Sequence, residues 1–201
     1  MRRRLRPLTL AGLLALAAPL AAQGAAVTLH PGDLIDLKVH PEAALSGAVP
    51  VDERGIATFP ILGPRPVGGL AWAEVRDAVI AAYRRELRDP VITLTPLRRI
   101  SVLGSVNKAG IYLVDPTLPL AGAIALAEGA SEDGDLRRVR VVRDGRTLLA
   151  DVPVERLLVD ADVRSGDQLF VERRGWWSRN SPTVVGALIS AVAIVVSVSA
   201  R

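Results

Sequence analysis

Cysteine is absent from the 201 residues, so the chain can build neither a disulfide framework nor a thiolate metal site, and it offers no thiol nucleophile. With no cysteine to carry lipid, any attachment to a membrane is expected to be made by protein. Histidine is almost missing too: His30 and His40 both lie early and next to prolines. No Gly-x-Ser-x-Gly turn, P-loop or dinucleotide fingerprint accompanies them. These absences point away from an enzyme and from any cofactor or metal. Aromatic residues make up 3% of the chain and form no stripe alternating with basic ones. Nor is there a real excess of charge. Residues 1–24 hold four of the 25 basic residues and none of the 21 acidic ones, which leaves 21 of each in the remainder. Nucleic acid is therefore excluded as a partner.

Long apolar runs occur only at the two ends. Arg2, Arg3, Arg4 and Arg6 precede an apolar stretch from Leu8 to Ala18, and small residues follow from Ala21 to Ala26. This is the layout of a secretory signal peptide, assigned to residues 1–24. At the other end Trp176 and Trp177 precede Pro182 and an uncharged run from Thr183 to Ala200. At about 1.5 Å per residue that run reaches roughly 27 Å as a helix, barely enough for the ~30 Å hydrocarbon layer of a bilayer. Pro182 suits a first helical turn, with Asn180 or Ser181 as cap. Winding the run at 100° per residue gathers Thr183, Gly186, Ser190, Ala193 and Ser197 within an arc of about 80°, opposite Val184, Leu188, Val192 and Val195. One face is small and hydroxylated and the other aliphatic, which suits either a pore-lining helix or a single anchor whose small residues aid packing. Trp176 and Trp177 are placed for the headgroup region of a membrane, with sugar stacking as the competing role.

About 150 residues separate the two runs, enough for one medium domain or two small ones. His30-Pro31-Gly32-Asp33 is a tight turn, and Leu34 to Val39 alternates as a half-buried strand. Val49 and Val51 lead into a second turn, from which Ile56 to Phe59 is expected to return as their hairpin partner. The prolines and glycines from Pro60 to Gly69 predict a stiff, irregular connection. Trp72, Val75, Val79, Ala82, Tyr83 and Leu87 recur at helical spacing, and Asp89-Pro90 ends the helix. Val91 to Leu97 alternates as a strand that closes a first α+β unit near Arg98. A second unit opens with a strand from Ile100 to Val106, a turn at Asn107 to Gly110 and a return strand from Ile111 to Val114. A short helix from Thr117 to Ala127, a hairpin about Asp144-Gly145-Arg146 and a last strand from Gln168 to Glu172 follow, in β-grasp order. The acidic cluster Glu132, Asp133 and Asp135 lacks calcium-loop spacing and reads as a solvated loop. Asp33, Asp52 and Asp89 stand in turns beside Gly or Pro, where the carboxylate commonly binds its own backbone.

Several of these stretches, in this order, resemble the bacterial polysaccharide biosynthesis/export proteins, the Wza-like outer-membrane exporters. The carrying residues are Pro31-Gly32-Asp33, Leu45-Ser46-Gly47, Val51-Asp52 with Gly55, Phe59-Pro60-Ile61-Leu62-Gly63, Gly69-Leu70 with Glu74, and Asp89-Pro90-Val91. Val102 to Val106, including Gly104, and Ala109-Gly110-Ile111-Tyr112 resemble the opening of the family's soluble ligand-binding (SLBB) β-grasp domain. Two positions depart from the pattern: Ala71 replaces the usual capping threonine, and Ala109 the usual proline of the β-grasp turn. The resemblance implies an α+β chain with a polysaccharide-export domain at 25–98, one SLBB-like domain at 99–174 and a membrane helix at 175–201. It further implies a homo-oligomeric ring in the outer membrane, most of it periplasmic, that passes a polysaccharide. The implied partner is an inner-membrane polysaccharide co-polymerase, often linked to a tyrosine kinase. In that picture Thr183, Gly186, Ser190, Ala193 and Ser197 line the pore, while Pro60, Gly63, Pro90 and the other motif residues are structural. The alternative is an anchored glycan-binding or scaffolding module that forms no pore.

Overall fold

A computed structural model of the protein describes residues 26–175. Along these run nine strands and two helices: β1 (Leu34–His40), β2 (Gly47–Pro50), β3 (Ile56–Phe59), β4 (Gly63–Pro66), α1 (Trp72–Glu86), β5 (Val91–Gly104), β6 (Gly110–Val114), α2 (Leu120–Leu126), β7 (Gly134–Arg143), β8 (Arg146–Leu149) and β9 (Gln168–Arg173). Seven strands form one sheet in the order β2-β1-β5-β9-β7-β8, with β6 on β5, and β3 and β4 form a separate ribbon. The class is α+β. Among the described residues no helix is long and apolar enough to cross a membrane.

The alternation of β1 places Ile35, Leu37 and Val39 in the core, nearly or wholly out of solvent. They pack with Phe59 and with the Val75, Val79 and Tyr83 face of α1 to make a first hydrophobic cluster. A second cluster joins Ile100 and Val102 of β5 to α2, to Val139 and Val141 of β7, and to Leu169 and Val171 of β9. Neither helix has a side-chain N-cap. Backbone takes that role: the Trp72 N–H donates to the Val27 carbonyl at 2.8 Å, and the first N–H groups of α2 donate to the Arg156 and Val154 carbonyls at 3.0 and 2.8 Å.

Three expectations from the sequence are corrected. Ile56 to Phe59 does not pair with the Val49 segment beyond one isolated bridge, Val51 to Ala57. Its partner is β4, in the register Ile56 to Pro66 and Phe59 to Gly63, so the stretch read as irregular contains a strand. Proline cannot donate to a ladder, yet Pro64 and Pro66 alternate with Gly63 and Arg65, whose N–H groups remain free to bond, and the ribbon has only one partnered edge to satisfy. The Tyr83 hydroxyl, buried on α1, donates to the Pro60 carbonyl at 2.9 Å and clamps this ribbon to the helix. Third, the two strands read on either side of Arg98 are one 14-residue strand, β5. Its first half pairs antiparallel with β1, from Leu34–Leu97 to His40–Val91, and its second half with β6 and, in parallel, β9.

Candidate functional site

The middle of β5 is where the chain's polar chemistry converges. Two turns of the same form meet there. In the first, Gly32 adopts φ 88° and Asp33 accepts the His30 N–H at 2.9 Å while its own N–H donates to the His30 carbonyl at 3.1 Å. In the second, Gly166 adopts φ 95°, Asp167 accepts the Arg164 N–H at 2.7 Å, and its N–H donates to the Arg164 carbonyl at 3.1 Å. Both glycines sit where a side chain would strain the backbone. Each turn launches a strand along β5: β1 runs antiparallel to it and β9 parallel.

Side chains join the turns across 132 residues of sequence. The Ser165 hydroxyl donates to Asp33 Oδ1 at 2.6 Å and accepts the Arg99 N–H at 3.0 Å. Arg98, a residue only 3% exposed, donates from its guanidinium to the carbonyls of Val163 and Thr28. Burial pushes its pKa down, and the nearby charge of Asp33 is the largest influence in the opposite direction. Arg143 holds the buried Asp167 with two nitrogens, at 2.7 and 2.8 Å. That hydrogen-bonded pairing raises the Arg143 pKa. Burial of the Asp162 carboxyl acts to raise its pKa, but Arg164, at 3.0 Å, and Arg143 outweigh it and hold it below the ordinary value.

A cleft of about 250 Å³ opens at this junction between His30, Pro31, Arg143, Arg164 and Gly166. Its arginines are neutralised by Asp162 and Asp167, so the cleft has no unpaired field with which to draw an anion. No group of three His, Cys, Asp or Glu side chains among the described residues is arranged to hold a metal. The chemistry of the junction is that of a clamp.

The remaining motif residues are dispersed, each at a bend. Pro60 and Gly63 turn the β3–β4 ribbon, Gly63 with φ 73°. Asp89 has φ 49° and, with Pro90, leads into β5. Gly104 ends β5 against Val171, whose carbonyl oxygen would collide with a Cβ at that position. Gly110 opens β6 beneath the ring of Tyr112, whose hydroxyl donates to the Lys108 carbonyl at 2.7 Å. Asp52 accepts the N–H groups of Arg54 and Ile56 at 2.9 and 2.7 Å, a turn-internal role. Of the acidic cluster, Asp133 meets Arg173 at 3.3 Å, and Asp135, which lies at the start of β7 and not in a loop, accepts the Arg137 N–H at 3.1 Å.

Of the residues singled out from sequence, only Pro31-Gly32-Asp33 lies at the junction. Arg98 and Arg143 were not foreseen in this role, and Ser165-Gly166-Asp167 reads in the sequence only as the turn before the last strand. The signal for Asp167 is the recurrence of Gly-Asp before an alternating strand, Gly32-Asp33-Leu34-Ile35 and Gly166-Asp167-Gln168-Leu169. Trp176, Trp177, Thr183, Gly186, Ser190, Ala193 and Ser197 lie outside the described residues, as does the stretch 1–24 expected to be a signal peptide.

Comparison with known proteins matches two family models to the chain. Residues 21–96 match the family model for polysaccharide biosynthesis/export proteins, and residues 99–157 match the SLBB domain. The chain is similar to the EPS I polysaccharide export outer membrane protein EpsA of Ralstonia solanacearum, with 33% identity over 62% of this chain and 36% of that protein. It is likewise similar to the EpsA of Ralstonia nicotianae, 28% identical over 78% of this chain and 50% of the relative. The match thus spans half the length of these relatives or less. The two family matches abut at the middle of β5, where the Gly-Asp turns meet, and together they show that the chain belongs to the polysaccharide biosynthesis/export protein family.

Proposed function

We propose that the chain is a subunit of an outer-membrane ring that exports capsular or exopolysaccharide from the periplasm to the cell surface, and that it catalyses no reaction. The observation that carries this reading is the order of the two matched domains, export domain then SLBB domain. The names of the Ralstonia relatives support it, as does a described region whose buried charged residues, Asp33, Arg98 and Asp167, are hydrogen-bonded within the fold. In this reading residues 1–24 direct export, most of the chain lies in the periplasm, and the run from Thr183 to Ala200 crosses the outer membrane as a helix. Thr183, Gly186, Ser190, Ala193 and Ser197 face the lumen, where short side chains leave room for a polymer, and Trp176 and Trp177 sit at the membrane interface. An inner-membrane co-polymerase supplies polymer and energy, since the sequence has no nucleotide-binding motif of its own.

Deleting Thr183 to Arg201 tests this directly: it should abolish surface polysaccharide while leaving a folded protein, and unchanged export would overturn the reading. The chain's lack of cysteine permits a second test. Single cysteines placed at 186, 190, 193 and 197 should react with a membrane-impermeant thiol reagent, whereas those at 184, 188 and 195 should be spared. Protection of both faces, with a monomer in mild detergent, would instead fit an anchored scaffolding module.

A further inference from the structure

Ile61, at the tip of the β3–β4 ribbon, combines two unfavourable conditions. It has φ 54°, in the left-handed region that a β-branched side chain scarcely tolerates, and 58% of it is exposed. Neither condition helps the chain fold. Backbone strain retained at a solvent-facing apolar side chain points to a contact outside its own chain.

Between the same ribbon and α1 lies an apolar groove of about 300 Å³, lined by Leu62, Val67, Leu70, Ala78, Val79 and Ala82. Ile61 does not line it. At its border stand Arg65 and Glu74, of opposite sign, and neither has an ion-pair partner among the described residues. Arg65 is the only charged residue between Ile56 and Val67, so a ribbon approaching from another copy brings one positive charge toward the free carboxylate of Glu74.

We propose that Ile61 of one copy seats in the α1–ribbon groove of the next copy, with Arg65 of the incoming ribbon facing Glu74. Ile61 is not part of its own copy's groove, so knob and groove are different patches and the contact is head-to-tail; a contact of that kind propagates from copy to copy until it closes on itself. The inference rests on the ring reading above and names the surfaces that would build it.

The full-length protein in mild detergent provides the test. Ile61→Gly removes the knob and relieves the positive φ. It should raise the concentration at which assembly is half complete at least tenfold without lowering the thermal midpoint of the dissociated subunit. Ala78→Arg, on the exposed side of α1, should do the same by filling the groove. Mixing Ile61→Cys chains with Ala78→Cys chains and a short bismaleimide should give a covalent heterodimer. If wild type assembles, both variants assemble equally well and no heterodimer forms, the knob is wrong while the ring reading stands. A wild type that stays monomeric at every concentration overturns both. Capture of a different protein by Ile61→Cys chains in cells, with no copy-to-copy product, overturns the choice of occupant.

Discussion

Replacing Asp33 by alanine removes an acceptor from the His30 N–H and the Ser165 hydroxyl at once and takes away the negative charge that most favours the buried Arg98 cation. A cost of about 3 kcal/mol is expected, because two hydrogen bonds are lost at once with their donors left partly buried, and the favourable field at Arg98 weakens as well. Ser165→Ala should cost about 1 kcal/mol. The double variant should cost less than the sum of the two, since both side chains share one hydrogen bond, and urea denaturation of all four proteins measures the shortfall. The sequence anticipated that Asp33 would bind its own turn, and its Oδ2 does so. Its Oδ1 reaches Ser165, and a partner so remote along the chain leaves no local pattern to read. Acid should also be felt at this junction. The Asp162 carboxyl is held below its ordinary value of 3.8, so the stability it contributes is fully present above that pH and is lost as pH falls through the lower, folded-state value. Arg164→Gln should reduce that contribution and move acid unfolding to a higher pH, as far-UV circular dichroism would record.

At the scale of single elements, β5 carries the argument. Arg98 and Arg99 together interrupt an alternating pattern, and two adjacent arginines read as a boundary. In the fold Arg98 turns inward onto backbone carbonyls while Arg99 stays exposed, so the alternation never stops. Charge type misled where side-chain direction was regular. The helix α1 and the strands β1 and β6 were legible because each obeys its own period over several residues with one face buried. The ribbon strand β4 was not, because its prolines hide a pairing that has no hydrophobic alternation to betray it. Register makes β5 testable. Inserting one residue between Arg98 and Arg99 sends Ile100 and Val102 to the outer face and should unfold the second lobe. Inserting two restores the facing of those residues but parts the Gly-Asp turns, so a folded but destabilised protein is expected. Thermal unfolding followed by circular dichroism separates the two outcomes.

For the whole molecule, the two hydrophobic clusters share a strand and a clamp, so they should open together. Leu169→Ala, a wholly buried position of the second cluster, should destabilise by about 3 kcal/mol. Amide exchange in the first cluster, at Leu37 and Val79 for example, should accelerate by the same factor as in the second. Acceleration confined to the second lobe would mean that the lobes open independently.

The opposed directions of β1 and β9 along β5 also have a mechanical meaning. A pull that draws the lobes apart along this strand loads both ladders in shear, so that many hydrogen bonds resist together instead of being peeled off one at a time. Tension then passes from lobe to lobe through an unbroken covalent backbone, and the joint is stiffest along the axis of β5 and most compliant to twist about it.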